Sequence, residues 1–358
     1  MREQTAVPDR TWIEVDLGAL VANARTISER APGSRLLPIV KADAYGLGAV
    51  RVARALERVD PWGFAVATAH EGRELREAGI TRPVLVMGPQ TRALELVAKH
   101  GLTPALGSAE QIGAWLKLAP GRPFHVEVDT GMARWGLPWQ TVGAEAALFR
   151  DAPGFEGVFT HFHSPAEAPA SVKEQWDRFQ AALAALGTRP RLVHSANSAA
   201  LLDFPETAGD LVRPGIFLYG GRAGAHRPSR VVQWRARVLA TRWLEAGDSV
   251  SYGATYRAAT RTSVATIAAG YADGVPRSLS NVGAVLVDGR RLPFAGRVTM
   301  DLTMVASADR APVVGSVATL IGSDGPEAIE LDDFAALAGT ISYEVLTGLG
   351  RRVTRVYT

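Results

Sequence analysis

Between about residues 35 and 220, short apolar runs alternate with turns and amphipathic stretches. The runs are "RLLPIVK", "GFAVA", "PVLVMG", "TPAL", "FHVEVD", "EGVFTH", "RLVHS" and "LVRPGIFLYG". Helical patterns such as "GAVRVARALERV", "HEGRELREAG" and "SVKEQWDRFQAALAAL" lie between them. Strands that read as continuous apolar runs are buried on both faces, and their separation by helices specifies a parallel sheet. Eight such units in about 200 residues fit a (β/α)8 TIM-like barrel, with a doubly wound open sheet as the alternative. After "YGGRAGAHRPSR" the texture changes to Val-, Thr- and Gly-rich stretches such as "TSVATIAAGYADG" and "VGAVLVDGRRLPFAGRV". This pattern predicts a mainly antiparallel β domain. The expected division is a barrel over 12–225 and a C-terminal β domain over 226–358, joined by about the first 11 residues.

Bulk composition narrows the function. A chain of 358 residues is too long for one ordinary core, and 47% hydrophobic content can fill two. The net charge of +3 is spread without basic runs or aromatic interleaving, which argues against nucleic acid. The absence of cysteine excludes disulfides, thiolate metal sites and a cysteine nucleophile. No metal site is expected. The start lacks an apolar signal region and no apolar run reaches membrane-spanning length, so a soluble, cytoplasmic protein with no membrane partner is expected.

Lysine is the informative residue. Of the 39 Lys and Arg, only Lys41, Lys99, Lys117 and Lys173 are lysines. The last three lie in amphipathic helical patterns and read as solvated. Lys41 alone follows an apolar run directly. A strand-end lysine can simply snorkel to water. Against a low-dielectric wall it can instead lose its proton and act as a base or an imine-forming nucleophile.

Barrel active sites lie at the C-terminal ends of the strands. Lys41, Arg134, His161, His194, Arg213 and Gly215 all fall there. A lone histidine at a strand end is more often structural, but several such residues on one rim are harder to dismiss. "HSANSAALL" suggests a helix start with Asn197 and Ser198 at or near the cap, where free N–H groups and a hydroxyl suit phosphate. Tyr45 could add a hydroxyl, and Gly215 lets the backbone approach closely. A lysine, a phosphate cradle and a cationic rim together describe a site for pyridoxal 5'-phosphate (PLP). Arg213 in place of a carboxylate at the ring nitrogen would leave that nitrogen unprotonated, because arginine keeps its proton.

The motifs "VKADAYGLG", "VDTGMARWGL", "THF", "HSANSAA", "VSYGATY", "AGYADG" and "GRVTMD" make the chain resemble the alanine racemases over essentially its full length. The resemblance implies a PLP-dependent racemase that interconverts L- and D-alanine and supplies D-alanine for peptidoglycan, working as a homodimer with its sites at the interface. It further implies that Lys41 binds PLP and acts as one base, with Tyr252 of the partner subunit working on the opposite face. Arg134 matches a cofactor and substrate-carboxylate contact, His161 the histidine beside the ring, and Arg213 the ring-nitrogen partner. Tyr45, Ser198, Gly215 and Ile216 match phosphate contacts, with His194 and Asn197 in the same motif. Met300 matches a backbone contact to the substrate carboxylate, with Asp301 beside it. Tyr271 and Arg277 resemble entry-corridor residues.

Three departures stand out. Many members carry a lysine, often carbamylated, where this chain has Glu127. Many follow "THF" with small residues and an aspartate, where this chain has "HSPAE". Arg351 stands where some members have a phosphate-contacting tyrosine. Glu127 is expected to supply the missing anion and orient Arg134. A non-catalytic PLP-binding barrel lacks the β domain and its tyrosine, and a related decarboxylase uses a cysteine absent here.

Overall fold

The computed structural model describes residues 8–89 and 92–358. Two compact units are present. The first comprises the chain up to Ala19, Tyr219–Gly221 and Arg230–Thr358; the second comprises Leu20–Leu218 and Arg222–Ser229.

The chain begins in the first unit with β1 (Thr11–Val15). The second unit carries the parallel strands β2 (Arg35–Leu36), β3 (Phe64–Val66), β4 (Val84–Val86), β5 (Thr103–Leu106) and β6 (Phe124–Asp129). After a short β7 (Leu137–Pro138) come β8 (Phe155–Phe159), β9 (Leu192–His194) and β10 (Leu211–Val212). Strands β3, β4, β5, β6, β8 and β9 form a continuous ladder in that order, and β10 pairs β2. Parallel bridges Ile39↔Ala65 and Asn197↔Arg213 join the two sets. The eight strands therefore close into a ring, as the alternating pattern predicts, rather than an open sheet.

The end strands are shorter than the apolar runs that announced them. "RLLPIVK" keeps only two strand residues and "LVRPGIFLYG" another two, followed by the 3-10 turn Ile216–Tyr219. Pro38 and Pro214 cannot donate to a ladder. Leu37 and Ile39 N–H nevertheless donate to Val212 and Pro214 carbonyls, at 2.8 and 3.0 Å, so the seam holds without regular strand.

β6 alternates apolar and polar residues yet is buried on both faces. Phe124, Val126 and Val128 are fully or almost fully buried on one face; His125 and Glu127 are buried on the other. Each large apolar side chain so buried stabilises the fold by about 1.5–3 kcal/mol.

The first unit is built on β11 (Val232–Leu244), whose early residues alternate buried and half-buried. It then adds β12 (Ser249–Val250), β13 (Tyr256–Arg257), β14 (Thr262–Ile267), β15 (Ala284–Val287), β16 (Arg290–Pro293), β17 (Thr303–Ser307), β18 (Val317–Asp324), β19 (Glu327–Ile329) and β20 (Thr354–Tyr357). Most pairings are antiparallel, and β1 lies between β11 and β20. The β unit thus takes in the chain up to Ala19, further than the first 11 or so residues.

Candidate active site

Lys41 sits just past β2, where its chain bends in an unusual way. Ala42, Asp43, Ala44 and Tyr45 all have φ between +53 and +57°. A left-handed turn costs an L-residue roughly 1–2 kcal/mol at each position. Such strain persists only where surroundings over-determine it. Here Glu71 Oε1 accepts from Ala42 N–H at 2.7 Å, and Asp43 Oδ1 from Ala49 N–H at 2.7 Å. The other Glu71 oxygen accepts from Ala67 and Thr68 N–H, closing a capping box with Thr68. One carboxylate therefore ties the lysine turn to the start of the helix Ala69–Glu77. The turn also delivers Tyr45, buried to 5% exposure, beside Gly215. Crowding by protein lowers the Lys41 pKa, helped by Arg134 and opposed by Glu71.

Gly215 is where a side chain would do damage. A Cβ there would lie 2.6 Å from the Tyr45 hydroxyl oxygen. Gly215 N–H donates to Ser198 Oγ at 2.9 Å. Asn197 is the N-cap of the helix Ser198–Asp203, accepting from Ala200 N–H at 3.1 Å, and its Nδ2 reaches the Phe162 carbonyl. Tyr45, Ser198 and Gly215 thus lie together, with Asn197 and Ile216 next to them in the chain.

Arg213 is the most heavily held side chain. Its Nη2 donates to the carbonyls of Thr160 (2.7 Å) and Ser195 (2.9 Å) and approaches His161 Nδ1 at 3.4 Å. Its Nη1 donates to His194 Nδ1 at 2.8 Å. The guanidinium lies 5.2 Å from the Phe159 ring centroid, and Phe159 stacks on His194. Only Nε is buried without a partner. A buried donor left unmade costs about 1–3 kcal/mol, so an acceptor is wanted there. Burial pushes the Arg213 pKa down to about 10, which leaves it charged at neutral pH. His161 is pushed down to about 3 by burial and then by Arg213, Arg134 and Lys41, so it is neutral.

Arg134 is exposed in the loop after β6. Asp129 shapes that loop, its carboxylate accepting from Gly131 and Ala133 N–H at 2.9 and 3.1 Å. Ala133 adopts φ +54°, which turns the chain into Arg134. Glu127 shares the inward face of β6 with His125 and is 5% exposed. Its pKa rises to about 7, chiefly through burial, against attraction from Arg213 first and Arg134 second. No hydrogen bond joins Glu127 to Arg134, the residue it is expected to orient; Glu127 feels both arginines through their charge.

The remaining predicted residues belong to the β unit. Tyr252 is 73% exposed in the 3-10 turn Tyr252–Ala254. Ser251 before it adopts φ +66° and donates its hydroxyl to the Arg297 carbonyl at 2.7 Å. Met300 is exposed, with its carbonyl accepting from Ala272 N–H at 2.9 Å. Asp301 pairs with Arg352 at 2.6 Å. Tyr271 is half exposed at the start of a 3-10 turn, and Arg277 starts another.

Sequence reasoning missed four contributors. Asp273, fully buried, holds Arg352 at 2.7 Å and Arg10 at 3.5 Å and fastens the Met300 loop; its place in "AGYADG" gives no local sign of those partners. Glu71 was visible as the end of a T-x-x-E capping box. His125 and Glu156, discussed below, gave no local signal. Among the described residues no helix is long and apolar enough to cross a membrane, and no group of three metal-binding side chains converges.

A closed parallel barrel with a lysine in a strained turn beyond its first strand, a cluster of hydroxyl and backbone groups and a buried, multiply bonded guanidinium, followed by an antiparallel β unit, defines a two-unit enzyme of the lysine-anchored cofactor class. Sequence profiles of the alanine racemase N-terminal and C-terminal domains match residues 15–223 and 231–357. The chain belongs to the alanine racemase family. It is 42% identical to an alanine racemase of Symbiobacterium thermophilum over 97% of both chains. Identity to an alanine racemase of Halothermothrix orenii is 38%, over 97% of this chain and 96% of the relative. The crystal structure of alanine racemase from E. faecalis superimposes with a TM-score of 0.92 at 34% identity, covering 98% of each chain. Alanine racemase from Bartonella henselae, with covalently bound pyridoxal phosphate, gives 0.91 at 33% identity, covering 98% of this chain and all of that one.

Proposed function

We propose that this protein interconverts L- and D-alanine with PLP as cofactor, as a homodimer in the cytoplasm, and supplies D-alanine for peptidoglycan. The observation that carries this reading is the buried Nε of Arg213, left without a partner beside His161, which also feels the charge of Lys41. An unprotonated ring nitrogen is the acceptor that atom wants, and the hydroxyl cradle around Gly215 suits the phosphate end of the same molecule. When bound, PLP supplies the electron sink that makes the substrate α-carbon acidic.

The chain's own residues do the rest. Lys41 anchors the cofactor and moves the α-proton on one face; burial, helped by Arg134, lowers its pKa and so favours the neutral amine that a base needs. Tyr45, Asn197, Ser198, Gly215 and Ile216 hold the phosphate end. Arg213 stays charged, and its Nε would donate to the ring nitrogen and so favour that nitrogen's unprotonated form. His194 steadies Arg213, and neutral His161 packs beside the ring. Arg134, a fixed cation, binds the substrate carboxylate, and Glu127 steadies it by its field. A planar carbon must be reprotonated from either face, so a second base is required. Tyr252 fills that role from the partner subunit, and its exposure in this chain supports the assignment. Met300 offers its backbone to the substrate carboxylate. Asp301, tied to Arg352, holds that loop in shape. Tyr271 and Arg277 line the entry.

The test has two arms. The PLP-loaded protein is expected to racemise alanine in both directions, assayed against the other common amino acids. Borohydride reduction followed by peptide mapping is expected to leave the pyridoxyl group on Lys41. No racemisation, or a label on Lys99, Lys117 or Lys173, overturns the reading.

A further inference from the structure

A line of hydrogen bonds crosses the barrel from one end of its strands to the other. Arg191, just before β9, pairs with Glu156 near the start of β8. Glu156 Oε2 meets His125 Nε2 at 3.3 Å. His125 Nδ1 meets His194 Nε2 at 2.9 Å, and His194 Nδ1 meets Arg213 Nη1 at 2.8 Å. Both histidines are fully buried and Arg213 is 2% exposed. The path is built for: a Cβ at Gly157 would lie 2.7 Å from the His125 ring, so only glycine leaves room for the imidazole.

The two ends decide every proton between them. Arginine can only donate, so His194 Nδ1 must accept and its proton sits on Nε2. That N–H points at His125 Nδ1, which must accept in turn. His125 then carries its proton on Nε2 and gives it to an acceptor-only carboxylate. Burial keeps both imidazoles neutral, since it lowers the His125 pKa and holds that of His194 well below its usual value. Burial alone would raise Glu156, but hydrogen bonds from His125 and Arg191 hold it lower, so the terminal anion persists.

We propose that Glu156 is a positioning residue for the reaction: it imposes a single tautomer on His125 and on His194, and so fixes the guanidinium whose Nε faces the cofactor ring. Without the carboxylate, only Arg213 at the other end still holds the tautomers, and the His125 proton loses the acceptor that keeps it on Nε2. A shift to Nδ1 places two donors face to face at His194. If His194 shifts as well, its Nδ1–H opposes Arg213, and the guanidinium turns off its aim. A charge at the far end of the barrel therefore sets geometry at the catalytic end through two rings that touch neither substrate nor solvent.

This inference rests on the racemase reading of the Arg213 site, and its test can fail separately. The probe is two-bond proton–nitrogen correlation NMR of holoenzyme labelled with 15N-histidine, in which only seven histidines contribute. Wild-type His125 and His194 are each expected as one neutral tautomer protonated on Nε2. In Glu156→Met, of similar length but without an acceptor oxygen, His125 is expected to show mixed tautomers. Its kcat for alanine is expected to fall about tenfold, with KM within about twofold. Glu156→Gln keeps an oxygen that accepts from His125 and is expected to restore both the single tautomer and most of kcat. A wild-type spectrum with either ring protonated on Nδ1, or doubly protonated, overturns the proposal. So does a Glu156→Met enzyme with unchanged tautomers and kcat. Should Glu156→Met fail to fold, the wild-type spectrum and Glu156→Gln decide alone. The tautomers are read whether or not the protein racemises alanine, so loss of the racemase reading would be seen independently.

Discussion

Replacing Glu127 by glutamine removes one ionisable group from the barrel interior at almost constant volume. The wild-type carboxyl is pushed up to about 7 from 4.5, with burial the main cause and attraction to Arg213 and Arg134 only partly offsetting it. A displacement of that size corresponds to roughly 3 kcal/mol between the two protonation states. The sign follows from which state holds the proton. The folded protein keeps it to about pH 7, whereas the unfolded chain releases it near its ordinary value. Stability from this group is therefore fully present below about pH 4.5 and is lost as pH rises through about 7. Glutamine carries no such slope. Glu127→Gln is expected to lie within about 1 kcal/mol of wild type at about pH 5 and to be more stable by roughly 3 kcal/mol at about pH 8.5. Urea unfolding followed by tryptophan fluorescence at both pH values measures this. Activity should move the other way. The ionised carboxylate steadies Arg134, so the variant is expected to lose about tenfold in turnover above pH 7 while keeping PLP, and to match wild type below it. Parallel stability curves, or an activity ratio that does not change with pH, would refute the assignment of a buried, titrating anion.

The other expectations are simpler to state. Gly215→Ala brings a methyl to within 2.6 Å of the Tyr45 hydroxyl, so PLP affinity, measured by equilibrium dialysis, should fall by an order of magnitude or more with little change in fold. Tyr252→Phe should bind PLP normally yet lose orders of magnitude in racemisation. Mixing inactive Lys41→Ala and Tyr252→Phe chains should recover activity, and verified heterodimers that stay dead would remove the trans tyrosine. Because Glu127 needs no carbamate, rates with and without added bicarbonate should agree; a bicarbonate-dependent rate would contradict the replacement.

The barrel was legible because its strands are buried on both faces. A run such as "FHVEVD" carries apolar side chains toward the helices and polar ones inward, a pattern few other elements produce. Lys41 was legible because its setting differs from that of three exposed helical lysines. The turn after it was not. "KADAY" contains no glycine, and nothing local predicts four successive residues at positive φ; Glu71, 30 positions further on, supplies the compensation. The Glu156–His125–His194 line was hidden for the same reason. Each residue alone reads as ordinary, and their meeting depends on the register of β6, β8 and β9. The Asp273–Arg352 pair joins two motifs 79 residues apart, so its role as the fastening of the Met300 loop appears only after folding.

The unequal use of lysine and arginine gains a physical reason at this site. With 39 Lys and Arg, of which four are lysines, 35 are arginines (39 − 4). A two-base reaction near neutral pH needs one cation that can lose its proton and others that cannot. Arginine cannot give up its proton in a protein, whereas lysine can, and the Arg134 charge is one of the forces that lowers the Lys41 pKa. A lysine at position 134 would titrate as well. Each amine would then lose its proton more easily while the other was charged, and the pair would share two macroscopic steps rather than leave one defined base. On the proposed reading, arginine at position 134 would give the substrate carboxylate a planar, two-pronged clamp and would leave Lys41 as the one titrating amine on that face. The second face is then left to a group of another kind, the role proposed above for Tyr252 of the partner subunit.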